Sequence, residues 1–348
     1  MSIKLLTYSG IVTKSKAMKS FLLTREDYEK IAGCSTVSEI IAQLKEHKGY
    51  KDIFMNSDLT EIHRGDIEHE LIHAYQLTYA KLFKFARIEH RKIMRMLFYN
   101  FEIQALRMCL QGIVHAENLV DLSMFRQFFE EHSKIDLQKI TAADNIDAFI
   151  EALRGTDYYA VLKEVQSIPN PTIFDYETML NIYFFQKVWD DKDKYLKGKE
   201  KKAYTAAIGQ QVDLLNIIWI YRFKMYFNTD NGKIMRSIIP IHYRLRKKTV
   251  AAMVATESVE ELIDLIRKGP YAKLFAEGEV NKDNIEKIYQ NYLKKVYERN
   301  LRENPMSIVP IQFFLYLKER ELDRITTAIE CVRYGLPTEE TMEILGRQ

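Results

Sequence analysis

The stretch that most resembles a catalytic motif is residues 69–73, which read His-Glu-Leu-Ile-His. Two histidines four positions apart lie one turn apart on a helix, so both could bind Zn²⁺ while the glutamate acts as a general base. A catalytic zinc also needs a third protein ligand, and the glycine and third histidine of the metzincin continuation are absent here. A zinc metallohydrolase using His69, Glu70 and His73 is therefore the alternative, and we favour solvated histidines on an ordinary helix.

Two charged clusters also suggest phosphate or metal chemistry. Residues 190–193 read Asp-Asp-Lys-Asp, similar to the Mg²⁺ motif of all-α prenyl-chain enzymes, but Lys194 replaces the acid of the fifth position. We expect a solvated, mobile loop there. Residues 244–248 read Arg-Leu-Arg-Lys-Lys, and we expect this run to be an exposed helix start or a contact for an acidic partner surface.

The remaining features argue against an enzyme. No glycine-rich phosphate-binding loop and no nucleophile elbow occurs in the 348 residues, so ATP hydrolysis by this chain is not expected. Lys plus Arg (51) nearly balances Asp plus Glu (48), which predicts no nucleic-acid partner. The three cysteines are far apart, so neither a disulfide framework nor a thiolate zinc site is expected, and a reducing compartment fits. We predict no cofactor, no metal and no membrane span.

The elements that must position these residues are helices. Only 7 prolines and 13 glycines interrupt the chain, and no proline precedes Pro169. Apolar residues at 285, 288, 289, 292, 293 and 296 form one stripe with the helical period, and Lys287, Lys294 and Lys295 lie off it. The segment from Ile67 to Gly112 has no internal Pro or Gly and predicts one long helix or two. The chain is therefore predicted to be a soluble all-α protein.

Three segments of the chain resemble one another. Each opens with an N-cap residue, continues with apolar residues four, five and eight positions later, and reaches a tyrosine. The caps are Thr36, Asn145 and Ser258, and the tyrosines are Tyr50, Tyr158 and Tyr271. The first and third segments carry Glu three residues after the cap, which predicts a capping box. The spacing between caps is 109 from position 36 to position 145, and 113 from position 145 to position 258.

A second pattern supports the same period. An acid followed by an aliphatic residue occurs at Glu102, Asp213 and Glu321, and the spacings between these acids are 111 and 108. Two patterns that agree on a period near 110 indicate a triplication, too long for a TPR or HEAT solenoid. We predict three similar helical domains, 1–115, 116–228 and 229–348, around a pseudo-threefold axis.

Five motifs in order along the chain resemble those of one family. They are a basic segment leading to a Leu-Leu pair and a Tyr at 14–28, an acid-x-x-Asn helix at 213–224, a Pro-Tyr element at 269–271, an acidic and basic helix at 318–325, and a Leu-Pro-x-Glu turn at 335–340. In these motifs the chain resembles the C subunit of V/A-type ATPases (ATP synthases), whose family includes the d subunit of eukaryotic V-ATPases. It departs from the family pattern at Ala105 and Arg324, where the outer repeats would carry Asn.

The resemblance implies a function as well as a fold. It implies that the three domains form a funnel on the cytoplasmic face of a membrane, peripheral to it, between a membrane rotor ring of proteolipid subunits and the central shaft. The protein would be a non-catalytic rotor component that transmits torque for ATP-coupled transport of H⁺ or Na⁺. A generic helical adaptor remains an alternative.

The residues that we expect to contact partners are Arg222, Lys224, Glu319 and Glu321, since polar and charged contacts set register and specificity. Helix packing and ion pairs between domains are the alternative explanation of these four residues.

Overall fold

The computed structural model describes residues 3–55, 64–115, 121–227, 229–275 and 284–347, and all regular structure in these ranges is helical. The prediction of an all-α protein is confirmed. Contacts divide the chain into two compact units, Met1–Arg91 with Asn281–Gln348 and Lys92–Val280. The prediction of three domains stays a prediction, and its boundaries at 115/116 and 228/229 fall beside residues outside the described ranges.

The first unit is built around the long helix α17, which precedes the last described helix of the chain. Its helices are α1 Ile3–Lys19, α2 Arg25–Ala32, α3 Val37–Glu46, α4 Lys51–Phe54, α5 Arg64–Phe85, the start of α6 Ile88–His115, α16 Ile285–Glu303, α17 Val309–Arg333 and α18 Thr338–Arg347. Helix α17 packs against α1, α2, α3, α5, α16 and α18, which explains why apolar residues occur on most of its faces.

The second unit contains the rest of α6 and the helices that follow it. These are α7 Arg126–His132, α8 Leu137–Thr141, α9 Ile146–Ala152, α10 Asp157–Gln166, α11 Ile173–Tyr195, α12 Gly198–Arg222, α13 Asn231–Ser237, α14 Lys247–Ala255 and α15 Val259–Arg267. Short 3-10 turns lie at Ser123–Phe125 and Ala272–Leu274, and a π-helical turn at Phe223–Phe227 extends α12. Helix α12 contacts α11 and α15 and is buried along most of its length.

The three predicted caps are confirmed. The side chains of Thr36, Asn145 and Ser258 each accept a hydrogen bond from the backbone N–H three residues later, at the start of α3, α9 and α15. The glutamates of the predicted capping boxes reach one residue further back than expected. Glu39 accepts from the N–H of Ser35 at 2.7 Å, and Glu261 from the N–H of Glu257 at 3.0 Å, so the cap residue's own N–H is not the one bound.

Two further helical predictions have clear outcomes. The segment from Ile67 to Gly112 holds two helices, because α5 ends at Phe85 and α6 begins at Ile88. The stripe on α16 faces the core: Ile285, Tyr289, Leu293 and Val296 are buried. Among the described residues, no helix combines the length and the apolar character needed to cross a bilayer.

A candidate partner-binding surface

The three acids of the second repeat pattern are all buried. The exposed fraction is 7% for Glu102, 1% for Asp213 and 4% for Glu321. A buried carboxylate is costly unless hydrogen-bond donors surround it, so the donors around each acid define what it does. We call each acid with its donors a carboxylate hub.

The Asp213 hub is held mainly by backbone groups. The carboxylate accepts hydrogen bonds from the N–H groups of Tyr243 (3.3 Å), Arg244 (2.7 Å) and Leu245 (3.1 Å) and from the hydroxyl of Tyr271 (2.9 Å). Burial raises the pKa of Asp213 above its ordinary value, and the four hydrogen bonds oppose that rise. Asp213 thereby fixes the chain segment that leads into α14, whose first residues are exposed as expected for the basic run.

The Glu102 hub uses side-chain hydroxyls. Glu102 accepts from the hydroxyl of Tyr158 at 2.8 Å and from Ser133 Oγ. Burial raises the pKa of Glu102, while the Ser133 and Tyr158 hydrogen bonds lower it. The hub joins α6 to the start of α10 and to the turn between α7 and α8.

The Glu321 hub contains a cation. Glu321 accepts from the hydroxyl of Tyr50 at 2.6 Å, from Lys318 Nζ at 2.7 Å and from the backbone N–H of Leu23. Lys318 is 5% exposed, and its Nζ also lies 4.0 Å from the centre of the Tyr50 ring. Burial lowers the pKa of Lys318, and the adjacent Glu321 opposes this shift.

In each hub, an acid of the second repeat pattern binds a tyrosine of the first repeat pattern, and the two residues come from different predicted domains. Glu102 binds the tyrosine of the second capped segment, Asp213 binds that of the third, and Glu321 binds that of the first. Each hub therefore joins residues on opposite sides of a predicted domain boundary or at opposite ends of the chain. The tyrosines were visible in the sequence as members of the repeat, but spacing alone gave no sign of their partners.

The middle repeat has two reciprocal hydrogen bonds between a side chain and the backbone, which Ala105 and Arg324 replace in the outer repeats. Asn216 donates to the carbonyl of Ile239 at 2.9 Å and accepts from its N–H at 3.0 Å. At the corresponding positions, Ala105 is fully buried and Arg324 lies 5.8 Å from the centre of the Tyr28 ring. The departures at these two positions are therefore accommodated by local packing.

The four expected contact residues lie in different surroundings. Arg222 is exposed at the end of α12, whereas Lys224 is half-buried and donates to the carbonyl of Thr256. Glu319 is exposed on α17, and Glu321 belongs to its buried hub. Their partner contacts stay a prediction. Exposure favours that role for Arg222 and Glu319, and burial favours helix packing for Glu321.

Aromatic side chains, both exposed and buried, surround Arg222. Phe174, Trp219, Phe223 and Phe227 line, with Arg222, a cleft of about 410 Å³, which we call the aromatic cleft. Phe227 is 69% exposed, and its neighbours Met225 and Tyr226 are 47% and 51% exposed. The cleft forms where α12 widens into a π-helical turn, a feature often found at functional sites.

The rims of the aromatic cleft are held by ring contacts. The Phe174 and Phe223 rings meet edge to face with centroids 5.9 Å apart, and Lys233 Nζ lies 5.9 Å from the centre of the Phe174 ring. Asp230 caps α13 by accepting from the N–H of Lys233 at 3.0 Å. The cleft thus combines aromatic rings with the cations Arg107 and Arg222 and one acid, Glu177.

The zinc alternative gains no support. His69, Glu70 and His73 lie on α5, where His73 Nδ1 is 3.8 Å from Glu70 Oε2. His90, a conceivable third ligand, is buried and stacks on Tyr8 with ring centroids 4.0 Å apart. Within the described ranges, no group of three or more His, Cys, Asp or Glu side chains is placed to hold a metal ion.

The expectation of a mobile loop at 190–193 is wrong. Helix α11 continues through Tyr195, and Asp191 is 1% exposed. Its carboxylate accepts from the Tyr99 hydroxyl and from Lys194 Nζ, both at 2.8 Å. These donors, provided by α6 and by the next turn of α11, make burial of the charge tolerable, and charge density alone could not reveal them.

Comparison with known proteins gives one consistent result. A profile of the ATP synthase (C/AC39) subunit family matches residues 11–344. The chain is 24% identical over 323 residues to the C subunit of the A-type ATP synthase of Methanosarcina acetivorans, covering 91% of this chain and 87% of that protein. It is also 24% identical to the counterpart in Thermococcus kodakarensis, with 97% of this chain and 90% of that protein covered. The match extends over nearly the whole sequence, so the chain belongs to the ATP synthase (C/AC39) subunit family.

Proposed function

We propose that this chain is a rotor component of a V/A-type ATPase, a socket that joins the central shaft to the membrane rotor ring and transmits torque. Membership of the family makes it a non-catalytic subunit of such a complex. We place it on the cytoplasmic face of the membrane, peripheral to the bilayer. Its partners would be the shaft subunits on one side and the proteolipid ring on the other, and the transported ion would be H⁺ or Na⁺.

The observation that carries the mechanical part of this proposal is the set of three carboxylate hubs. A subunit that transmits torque must not deform where its repeats meet. Close-packed helical interiors deform little. Each hub adds a buried, hydrogen-bonded cross-link between segments that are 56 (Glu102 to Tyr158), 58 (Asp213 to Tyr271) and 271 (Tyr50 to Glu321) residues apart. Opening any hub would leave buried polar groups without partners, so the hubs resist shear between repeats.

The hubs also suggest how three repeats share the load. We propose the three domains 1–115, 116–228 and 229–348, arranged with pseudo-threefold symmetry as a funnel. Glu102 and Asp213 would each tie one repeat to the next, and Glu321 would tie the last repeat to the first. Such a closed series has no free end at which a twisting force could peel one repeat away.

For the shaft contact we propose the aromatic cleft and Arg222. An exposed arginine beside aromatic rings is the composition typical of residues that dominate binding energy at interfaces. Lys224, which donates to the carbonyl of Thr256, would support this contact from within the same unit. Glu319 and Glu321 belong to the other unit, and we propose them as separate partner contacts. The shaft face should then be acidic and carry an apolar side chain.

Co-purification of the tagged chain with the shaft subunits tests this proposal. We expect a complex with the wild-type chain and a weaker one with Arg222→Glu or Phe227→Ala, because either removes one component of the cleft. Lys199→Glu on the same helix makes the same charge change at another exposed position and should leave the complex intact. Failure of the wild-type chain to form any complex would favour a generic helical adaptor. Equal loss with Lys199→Glu would reject the aromatic cleft as the contact.

A further inference from the structure

The corner between α5 and α6 exposes two large apolar side chains. Phe85, the last residue of α5, is 52% exposed, and Ile88, the first residue of α6, is 82% exposed. The two intervening residues make a tight turn, in which Ala86 N–H donates to the carbonyl of Phe83 at 3.0 Å and His90 N–H to that of Arg87 at 2.8 Å. Burying such side chains against water-excluding material is favourable, so the corner has the character of a binding surface.

The corner is also strongly basic. Exposed cations lie at Lys81, Lys84, Arg87 and Arg91, and Lys14 of α1 places its Nζ 5.2 Å from the centre of the Phe85 ring. Glu89 is the one acidic residue between positions 81 and 91. Positive charge is therefore concentrated here, although the whole chain carries a net charge of only +3. We call Lys14 together with residues 81–91 the basic corner.

Buried side chains and ring contacts hold the basic corner in place within the first unit. Leu82 and Ala86 are buried, and His90 stacks on Tyr8 of α1 with ring centroids 4.0 Å apart. Arg91 lies 5.4 Å from the centre of the Phe83 ring. The two apolar side chains and the cations are thus presented by packed helices, so little conformational freedom is lost when a surface binds them.

We propose that the basic corner binds an anionic lipid surface, with Phe85 and Ile88 inserted at the headgroup level and the surrounding cations contacting lipid phosphates. An interfacial segment of this kind combines apolar side chains with Lys and Arg, whose long stems lie along apolar surface while their charges reach the headgroups. Charge complementarity favours an anionic surface. The cations flank the apolar pair on both helices, which suits a flat, continuous acidic layer.

Vesicle flotation with the full chain tests this inference independently of the shaft and the ring. We expect the wild-type chain to float with phosphatidylcholine vesicles that contain phosphatidylglycerol, to bind pure phosphatidylcholine vesicles much less, and to dissociate as salt rises. Lys84→Glu/Arg87→Glu should weaken binding at least about tenfold, because two cations become anions beside the lipid phosphates. Ile88→Ser should also weaken it, because it removes an inserted apolar side chain.

The control reverses the same amount of charge elsewhere. Lys48→Glu/Lys51→Glu changes two exposed cations of the same unit, on and beside α4, and should bind vesicles like the wild type. Thermal unfolding by circular dichroism verifies that each variant is folded. Absence of wild-type flotation, as expected if an acidic protein face were the true occupant, would overturn the inference. An equal loss in both double variants would also overturn it, because binding would then follow net charge alone.

Discussion

At the scale of single residues, the three carboxylate hubs differ in what they hold. Asp213 binds three backbone N–H groups, Glu102 binds two hydroxyls, and Glu321 binds a buried ammonium. A hydroxyl can rotate to another acceptor, but a backbone N–H fixed in a turn cannot. Removal of Asp213 should therefore be more damaging than removal of Glu102.

We expect Asp213→Ala to lower the free energy of unfolding by more than about 3 kcal/mol, because it removes the acceptor of the part-buried N–H groups of Tyr243 and Arg244 and of the buried N–H of Leu245. Urea unfolding followed by circular dichroism measures this loss. Asp230→Ala is the matched control: it removes an exposed cap that binds one N–H, and it should cost about 1 kcal/mol. Equal losses in the two variants would contradict the role of the hub.

Some properties of single residues could be predicted from the sequence, and others could not. The caps Thr36, Asn145 and Ser258 could be predicted, because a cap acts on its own helix within three residues. The burial of Glu321 could not be predicted, because it depends on Tyr50, which lies 271 residues away in the chain. Local chemistry is readable from spacing, whereas long-range hydrogen bonds depend on how helices pack.

At the scale of elements, helix α12 depends on a close approach at Gly209. A Cβ atom at this position would lie 2.7 Å from Cβ of Tyr243, which belongs to the segment held by Asp213. That contact involves the part of the tyrosine nearest its backbone, so rotation of the ring cannot relieve it. Glycine in α12 therefore permits the packing that brings the Asp213 hub together.

We expect Gly209→Ala to destabilise the protein by about 1–3 kcal/mol, because the steric cost exceeds the helical advantage of alanine. Gly10→Ala on α1 is the control. Nothing lies within 4 Å of a Cβ at Gly10, and this substitution should stabilise the protein by about 0.5–1 kcal/mol. Thermal unfolding compares the two, and stabilisation by both would refute the close approach.

The elements themselves were largely predictable. The period of the apolar stripe gave the buried face of α16, and the scarcity of Pro and Gly gave an all-α chain. The charged stretch at 190–193 was misjudged because its charge density is typical of a loop, whereas Tyr99 and Lys194 stabilise Asp191 within α11. A helix can retain buried charge only when neighbours supply donors, and neighbours are not visible in a local window.

At the scale of the whole molecule, the recurring spacing of caps and acids predicted a repeat but not the way in which its copies are joined. The hubs pair each acid with the tyrosine of a different copy, which spacing cannot show because every copy contains both groups. The proposed socket role depends on this cross-linking, since torque must pass from one repeat to the next without a hinge.

The most direct measurement of the central proposal compares ATP hydrolysis with ion pumping in vesicles that carry the reconstituted ATPase, with and without this chain. As a non-catalytic coupler, the chain should be dispensable for ATP hydrolysis by the catalytic head and required for pumping. We therefore predict that hydrolysis continues and pumping is lost without the chain, and that adding the chain restores pumping. Undiminished pumping in its absence would contradict the account.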